Sequence, residues 1–280
     1  MTGTKQSVFI VGAKRSAISS FGGALSKVPI VSVAADIARH ALSSAKISPS
    51  AVSETIFGCI LQAGLGQNVA RQVSLTAGIL ESAPAFTVNH ACASSLKAVA
   101  LARESILLGV NEVVLAGGLE SMSGAPYLVP AARFGQRMGH GELVDSMISD
   151  GLWDIFNNYH MGITAENLAA KYSITRAEQD AFAYESQKKA AMAKDGRFKD
   201  EIVPIEIKSR KETIVCLVDE CPRPNTTVEI LAKLKPAFKD DGTVTAGNSS
   251  AIADGAAAII VASESAVKNL NLAPLARIVD

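Results

Sequence analysis

The sequence has few of the features that mark secreted, membrane-spanning or nucleic-acid-binding proteins. Its four cysteines, Cys59, Cys92, Cys216 and Cys221, are too few and too scattered for a disulfide scaffold, so a reducing compartment is favoured. Lys plus Arg and Asp plus Glu both number 27, so no net charge attracts nucleic acid or an anionic membrane. The longest apolar run, residues 256–262, is too short to span a bilayer. We therefore expect neither nucleic acid nor a membrane as a partner.

The N-terminus also lacks a targeting signal. MTGTKQS passes directly into the apolar stretch VFIV, without a signal-peptide core or an Arg- and Ser-rich amphipathic leader. We expect a cytoplasmic protein, and a mitochondrial location stays open as the alternative.

What is present is typical of a globular α/β protein. The 280 residues are 48% hydrophobic and 19% charged, enough to bury a large core in one elaborate domain or two. Residues 8–11 and 54–58 read as buried strands. Residues 32–45, with Ser32 as the N-cap, and 72–80 read as helices. This alternation favours a mainly parallel sheet covered by helices.

The stretch from Thr87 to Met122 is the most informative part of this pattern. It predicts a short strand, a tight turn, a helix, a left-handed residue at Gly109, a buried strand over 112–116 and a glycine-rich exit. The predicted apolar face of the helix is Leu96, Val99, Ala100, Ile106 and Leu107.

Cys92 stands at the predicted start of that helix. The positive end of the helix dipole and the unpaired N–H groups there favour a thiolate over a thiol. Cys92 is thus a candidate nucleophile, although a buried structural cysteine is the commoner fate of a lone Cys.

Residues 123–247 read as a more polar, inserted subdomain. Residues 123–150 have no strong period, which is typical of a functional loop or an insertion. Two helices follow, the first capped at Thr164 and the second near Thr175, and then an exposed strand over 201–207. From Val244 the earlier style returns, and we expect the next buried strand to rejoin the first sheet.

Two other kinds of site are disfavoured by the spacing. Gly64-Leu65-Gly66 resembles the start of a dinucleotide-binding loop, but Val69 occupies the place of the third glycine. Cys216 and Cys221 would make only half a zinc site.

His160 lies just before a predicted helix. There its side chain would contact a carbonyl or a phosphate of a ligand, or be hydrogen-bonded within its own loop.

Seven stretches in order resemble the thiolase family, and within it the acetyl-CoA acetyltransferases. They are SFGGALS at 20–26, GLGQNVARQ at 64–72, VNHACASSLKA at 88–98, AGGLESMS at 116–123, YHMGITAEN at 159–167, RPNTT with LAKLKPAF at 223–238, and GTVTAGNSSAIADGAAA at 242–258. The resemblance implies an α/β, thiolase-like αβαβα layered fold with an inserted loop domain, its second repeat half missing. Residues 1–122 with 248–272 would form the N-terminal half and 123–247 the loop domain for CoA binding and oligomer contacts. Residues 273–280 would begin a truncated C-terminal half.

The resemblance also assigns the site. Cys92 would take the acyl group as a thioester, with its own N–H in an oxyanion hole. The expected CoA-binding residues are His160, Met161, Arg223, Phe238, Ala246 and Ser250. No metal and no cofactor are expected, since CoA is substrate and product. Dimers or tetramers are implied, as is a place in lipid metabolism. The sequence departs from the family at Ser95, where a glycine is usual.

The implied reaction condenses two acetyl-CoA to acetoacetyl-CoA and CoA, or runs in reverse as thiolysis. The family's Asn-Glu-Ala-Phe, Gly-His-Pro and Cys-x-Gly-Gly segments do not occur in these 280 residues, and they supply the base and the second proton transfer that the reaction needs. We therefore expect the chain to be a fragment that is inactive alone. The alternatives are a truncated, non-catalytic paralogue that binds CoA or assembles with full-length subunits, and a condensing enzyme of the ketoacyl synthase kind.

Overall fold

The computed structural model describes residues 7–193, 196–208 and 212–279. Its strands are β1 (Val8–Arg15), β2 (Ser19–Ser20), β3 (Glu54–Gly58), β4 (Ala85–Val88), β5 (Val113–Ser121), β6 (Tyr127–Leu128), β7 (Val144–Asp145), β8 (Trp153–Asp154), β9 (Tyr159–His160), β10 (Ile205–Lys208), β11 (Thr213–Cys216), β12 (Ala253–Ser263) and β13 (Ala276–Ile278). Its α-helices are α1 (Ile30–Ser44), α2 (Val69–Thr76), α3 (Ser94–Leu107), α4 (Met161–Lys171), α5 (Arg176–Ala193), α6 (Val228–Ala232) and α7 (Glu264–Asn269). Short 3₁₀ segments occupy Pro49–Ala51 and Pro130–Phe134, and a π-helical turn occupies Met147–Leu152.

A mixed sheet forms the centre of the molecule. Its strand order is β13-β1-β12-β5-β3-β4, with β2 paired to β12. β3 pairs in parallel with β4 and β5, whereas β12 runs antiparallel to both β1 and β5. Four of the six strands in this order therefore point the same way. The predicted α/β class and the return of the late strand to the first sheet are both confirmed.

Helices cover both faces of this sheet. On one face α1 and α2 pack over strand side chains such as Phe57 and Leu115. On the other face α3 packs over Val114 and Ala116. Successive residues of β5 thus enter opposite cores, as the two-residue period of a strand buried on both faces requires.

The buried face of α3 differs from the prediction. Ser94, Ala98, Ala102 and Ile106 face the sheet, so of the five predicted residues only Ile106 is buried. These positions recur every four residues, and the small side chains of Ser94, Ala98 and Ala102 allow the start and middle of the helix to lie close to the strands. Of the other predicted residues, Val99 packs partly against this core, whereas Leu96 is 74% exposed.

Several predicted helix boundaries were wrong. α1 begins at Ile30 with Pro29 at its N-cap, so Ser32 lies inside the helix. Residues 72–80 were predicted as a helix, but α2 spans Val69–Thr76. α4 is capped by His160 and not by Thr164. The errors in α1 and α4 have one cause, because Pro29 and His160 are unusual N-caps, whereas α2 is capped by Asn68, an ordinary capping residue.

Glu201, Asp219 and Glu220 attach their segments to the first strands. Arg15 Nε contacts Glu201 Oε1 at 2.7 Å, and Arg15 Nη1 contacts Asp219 Oδ1 at 2.7 Å. Glu220 Oε2 accepts from the N–H of Ser20 at 2.9 Å. The proposed domain boundaries stay a prediction. Among the described residues, no helix has both the length and the apolar character needed to cross a membrane.

Candidate functional site

Cys92 lies in a tight turn between the end of β4 and the start of α3. The turn is held by Ser94, whose hydroxyl accepts from the His90 N–H at 2.8 Å and donates to the Ala91 carbonyl at 2.6 Å. Ala91 has a φ of +48°, which is uncommon for a residue with a β-carbon. The helix begins at Ser94 with Ala93 as its N-cap, so Cys92 lies two residues before it. The side chain of Cys92 is exposed, which makes it accessible to a reagent or substrate.

Two glycines beneath this turn allow α3 to approach the sheet. Gly58 and Gly118 are register partners on β3 and β5. A β-carbon on Gly58 would lie 2.4 Å from the carbonyl carbon of Ser94, and one on Gly118 would lie 1.9 Å from Ser95 Oγ. Glycine at position 58, which lies against backbone, is therefore a packing requirement, and a side chain at position 118 would displace Ser95. We call this pair the glycine seat.

A second cysteine close to the seat is of a different kind. Cys59 is 1% exposed, and its thiol lies 3.7 Å from Glu120 Oε1. Burial, together with the negative charge of Glu120, raises the pKa of Cys59 to about 12. Burial also raises the pKa of Glu120, although this carboxylate accepts from the N–H groups of Ile60 and Leu61. Cys59 is therefore a buried structural thiol, while Cys92 is exposed.

His160 and Phe238 form a stacked aromatic pair. Their ring centroids are 4.9 Å apart with an interplanar angle of 19°. His160 Nδ1 accepts from the Gly162 N–H at 3.0 Å and so caps α4. A β-carbon on Gly162 would lie 2.2 Å from Phe238 Cγ. The structure thus brings together two of the predicted CoA-binding residues and shows that Gly162 makes room for them.

A buried carboxylate, Glu166, fixes the start of the loop 242–250. Its oxygens accept from the N–H of Thr243 at 2.8 and 3.0 Å, from the N–H of Val244 at 2.7 Å and from the Thr243 hydroxyl at 3.1 Å. Burial raises the pKa of Glu166, but these hydrogen bonds outweigh it and bring the pKa below the ordinary value. A β-carbon on Gly242 would lie 2.3 Å from Glu166 Oε1.

Asp180 and Asn248 fix the middle of the same loop. The amide of Asn248 donates to Asp180 Oδ1 at 2.9 Å and accepts from the Thr245 N–H at 2.7 Å. Arg176 Nε donates to Asp180 Oδ2 at 2.8 Å, and Arg176 Nη2 donates to the Leu231 carbonyl at 2.6 Å. Helices α4 and α5 therefore hold the loop through two buried carboxylates.

The remaining predicted CoA-binding residues are accessible. Met161 is partly exposed at the start of α4, while Arg223, Ala246 and Ser250 are exposed. The backbone N–H of Arg223 donates to Gln187 Oε1 at 2.6 Å, and the residue itself is exposed. Hydrogen bonds and ring contacts among the described residues join His160 to Phe238 but do not link Cys92 to either.

Sequence reasoning missed the groups that support these residues. Neither Glu166 nor Asp180 was predicted as a site residue. Their role in holding the loop has no local signature, because the loop groups that they bind lie more than 60 residues away in the chain. Within the residues the structure describes, no group of three or more His, Cys, Asp and Glu side chains is arranged to hold a metal ion.

Known proteins resemble this chain closely. The family model described as thiolase, N-terminal domain, matches residues 8–265. An acetyl-CoA acetyltransferase of Pseudomonas aeruginosa is 54% identical over 275 residues, which cover 98% of this chain and 70% of the relative. A probable acetyl-CoA acyltransferase of Staphylococcus aureus is 52% identical over 271 residues, covering 96% and 69%.

Solved structures agree with these relatives. The acetyl-CoA acetyltransferase of Syntrophomonas wolfei superposes with a TM-score of 0.95 at 40% identity, covering 98% of this chain and 69% of that one. The acetyl-CoA acetyltransferase of Bacillus anthracis superposes with a TM-score of 0.95 at 43% identity, covering 99% and 71%. The layered fold expected from the resemblance is confirmed.

Proposed function

This chain belongs to the thiolase family of acetyl-CoA acyltransferases, and on that premise we propose that it carries the acyl-accepting and CoA-binding part of an acetyl-CoA acetyltransferase. The overall reaction would join two acetyl-CoA into acetoacetyl-CoA and CoA, or split acetoacetyl-CoA in reverse. The observation that supports this proposal is the exposed Cys92 in a turn held over the glycine seat.

The first half-reaction would form a thioester on Cys92. The Cys92 sulfur, as a thiolate, attacks the carbonyl carbon of acetyl-CoA, and the bond from that carbon to the CoA sulfur then breaks. The acetyl group stays on Cys92, and the departing CoA thiolate takes up a proton. A backbone N–H aimed at the carbonyl oxygen would stabilise the negative charge that develops there, and we propose the N–H of Cys92 for this role.

The CoA moiety would lie along the loop 242–250. We propose that His160, Met161 and Phe238 line the acyl and pantetheine channel, with Ala246 and Ser250 beside it. Arg223 would meet the nucleotide phosphates, since its guanidinium is exposed and unpaired among the described residues and Arg binds phosphate well. The loop is held by Glu166 and Asp180 before any ligand arrives, which reduces the ordering cost of binding.

The second half-reaction needs groups that these 280 residues do not contain. Condensation requires groups that remove a proton from the methyl of the second acetyl-CoA and stabilise the carbanion, which then attacks the acetyl-Cys92 carbonyl and displaces the Cys92 thiolate. We propose that these groups come from a further part of the polypeptide or from partner subunits, and that this part packs on the outer face of α3. Leu96 near the start of α3 and Leu108 and Val110 just after its end are 74%, 79% and 72% exposed, and exposed apolar surface of this kind is found where another chain packs. The same observation supports the alternative of a non-catalytic paralogue that assembles with full-length subunits.

Mass spectrometry tests the proposed acceptor. Incubated with acetyl-CoA, the protein should gain the mass of one acetyl group, and peptide mapping should place it on Cys92. Cys92→Ala should gain none. The half-buried Cys221 provides the matched control, because Cys221→Ala should be acetylated like the parent. Acetylation that persists in Cys92→Ala would contradict the proposal.

Turnover separates the two candidate functions. Loss of acetoacetyl-CoA absorbance with CoA should be absent for this chain alone and appear when the groups for the second half-reaction are supplied by a full-length partner. If the Cys92→Ala variant gives the same turnover in such a mixture as the parent does, this chain has only a non-catalytic role in assembly.

A further inference from the structure

A tight turn at residues 19–24, which we call the anchor turn, joins the central sheet to the inserted segment 123–247. It begins with β2, where Ser20 pairs with Ala253 of β12. Gly22 has a φ of +71°, a conformation that residues with a side chain rarely adopt. The turn overlaps the stretch SFGGALS, but none of its residues is among the proposed site residues.

The two ends of the inserted segment meet at the anchor turn. Where the segment begins, the Gly22 N–H donates to Ser123 Oγ at 2.9 Å, and the Ser123 N–H donates to Asp254 Oδ1 at 2.8 Å. Where the chain returns to the sheet, the Phe21 N–H donates to the Ile252 carbonyl at 3.1 Å. The loop that would bind CoA ends two residues before Ile252, so its return path is fixed at the same place.

Glu220 ties the middle of the inserted segment to the same turn. Its Oε2 atom accepts from the Ser19 hydroxyl at 2.8 Å, from the Ser20 N–H at 2.9 Å and from the Ser20 hydroxyl at 3.1 Å. Its Oε1 atom accepts from the Ala24 N–H at 3.2 Å. Partial burial raises the pKa of Glu220, but these hydrogen bonds outweigh it and bring the pKa below the ordinary value. One carboxylate thus binds both ends of the turn.

Asp219 makes a second attachment beside Glu220. Its carboxylate accepts from Arg15 Nη1 at 2.7 Å and from Arg15 Nη2 at 3.0 Å, a bidentate pair, and also from the Ile18 N–H at 2.8 Å. Arg223, which would meet the nucleotide phosphates, follows only three residues after Glu220. Its position relative to the sheet therefore depends on these two carboxylates.

The anchor turn lies at the same edge of the sheet as the Cys92 turn. Asp254 pairs with Ser19 of the anchor turn on one side and with Ser121 of β5 on the other. Gly118 of the glycine seat comes three residues before Ser121 on β5, a distance of about 10 Å along a strand. A shift of the inserted segment at the anchor turn would therefore move its CoA-binding side chains relative to Cys92, which the sheet carries.

We propose that the anchor turn, with Glu220 as its principal positioning residue, holds the inserted segment at the distance from Cys92 that acyl transfer requires. This inference rests on the proposed function for the reaction, but not for the link between Glu220 and the position of the segment. The reaction is the attack of the Cys92 thiolate on the acetyl carbonyl with loss of CoA thiolate, so no further reactant is needed. Holding the thioester beside the nucleophile accelerates this step by avoiding a bimolecular encounter.

The rate of Cys92 acetylation tests this role. Glu220→Ala removes the acceptor of the turn, and Glu206→Ala is the matched control, because it removes the same charge from an exposed position on β10. At saturating acetyl-CoA, Glu220→Ala should be acetylated about 10- to 100-fold more slowly, as a misplacement of up to about 1 Å produces. Its Kd for CoA, from calorimetry, should stay within about 2-fold, since the CoA-binding side chains move together. Glu206→Ala should keep both values.

A reagent that does not use the CoA site separates misplacement from local damage. Alkylation of Cys92 by iodoacetamide, followed by peptide mapping, should proceed at the same rate in the parent and in Glu220→Ala. Equal slowing of acetylation and alkylation would place the effect on the Cys92 turn itself and overturn the proposal. A parental acetylation rate in Glu220→Ala, or a loss explained wholly by weaker CoA binding, would also overturn it. Glu220→Gln keeps one acceptor oxygen, so its acetylation rate should lie between those of the parent and Glu220→Ala.

A distance measurement tests the position of the segment without any ligand. Nitroxides are attached to Cys92 and to Phe182→Cys, an 80% exposed position on α5, in a Cys221→Ala background whose other two cysteines are buried. The distance distribution from pulsed electron paramagnetic resonance should shift or broaden in Glu220→Ala and stay parental in Glu206→Ala. A parental distribution in Glu220→Ala would overturn the inference. A parent that is neither acetylated nor binds CoA would count against the proposed function, and the distances would still decide the role of Glu220.

Discussion

Replacing Gly58 with alanine tests whether the glycine seat holds the turn that carries Cys92. The new β-carbon would lie 2.4 Å from the carbonyl carbon of Ser94 and 2.5 Å from the nitrogen of Ser95. Non-bonded carbons pack at about 3.5–4.0 Å, so the start of α3 would have to move away from the sheet by about 1 Å. Both neighbouring atoms belong to the backbone, so no side-chain rotation can relieve the contact.

The cost can be worked out from this displacement. Overpacking of this kind destabilises a fold by about 1–3 kcal/mol. At about 2–4 °C per kcal/mol for a domain of comparable size, the Tm should fall by roughly 2–12 °C. A misplacement of about 1 Å at a reacting group can also cost about 100-fold in rate. Acetylation of Cys92 should therefore slow far more than the loss of folded protein explains.

The assay compares Gly58→Ala with a matched glycine. A β-carbon on Gly151 would meet only Leu61 Cδ2, at an ordinary 3.5 Å, so Gly151→Ala should keep the parental Tm and rate. Tm is read by circular dichroism, and acetylation of Cys92 by mass spectrometry at a temperature where both variants are folded. A Gly58→Ala protein with parental Tm would refute the packing argument. Lowered Tm with a parental acetylation rate would refute the link to Cys92.

Four further outcomes follow from other contacts. Gly118→Ala should lower the Tm, because the new β-carbon would lie 1.9 Å from Ser95 Oγ. Adding Ser95→Gly should restore the Tm in the double variant. Additive effects of the two substitutions on stability would contradict this. Glu166→Gln should destabilise the fold by about 1–3 kcal/mol in urea titrations, since it turns an N–H₂ group toward backbone donors. Hydrogen bonds hold the pKa of Glu166 below the ordinary value. Its stabilising effect is therefore present above the pKa of the unfolded state and is lost as the pH falls through the pKa of the folded state. The free energies of unfolding of the parent and of Glu166→Gln should converge in acid, and a difference that stays constant with pH would count against this. Cys59, with its pKa raised to about 12, should resist iodoacetamide at pH 8 until the protein unfolds, and rapid labelling of the native protein would show the burial to be wrong. Leu108→Ser should reduce self-association in light scattering, because Leu108 is 79% exposed; a monodisperse, monomeric parent would remove the reason for this expectation.

Local patterns predicted the elements whose causes are local. β3 was predicted with the bounds that it has, Glu54–Gly58, because its apolar run ends at a glycine. Gly109 was predicted to be left-handed, and its φ is +72°. The second helix of the inserted segment begins after Thr175, where Thr175 and Glu178 exchange hydrogen bonds in a capping box. In each case the residues that form the sequence pattern and the residues that they contact lie within a few positions of one another in the chain.

Features that depend on distant residues could not be predicted in this way. The apolar pattern of α3 pointed to its large residues, but the face against the sheet is set by the small residues Ala98 and Ala102. The requirement for small side chains comes from β3 and β5, which are separated from α3 in the chain and press closely on it. Likewise, the cap at His160 follows from how Phe238 and the Gly162 backbone enclose its ring, and that enclosure is visible only in three dimensions.

The two halves of the candidate site use different physical means to reach the same end. Cys92 is placed by sterics: the glycine seat lets α3 approach so closely that the turn has little freedom to move. The loop 242–250 is placed by charge: Glu166 and Asp180 are buried and fully occupied by donors, and breaking such an arrangement would strand a charge away from water. A site positioned in these two ways is already organised without ligand. Binding of CoA should therefore leave the backbone of both regions almost unchanged, and its free energy should not be spent on ordering them.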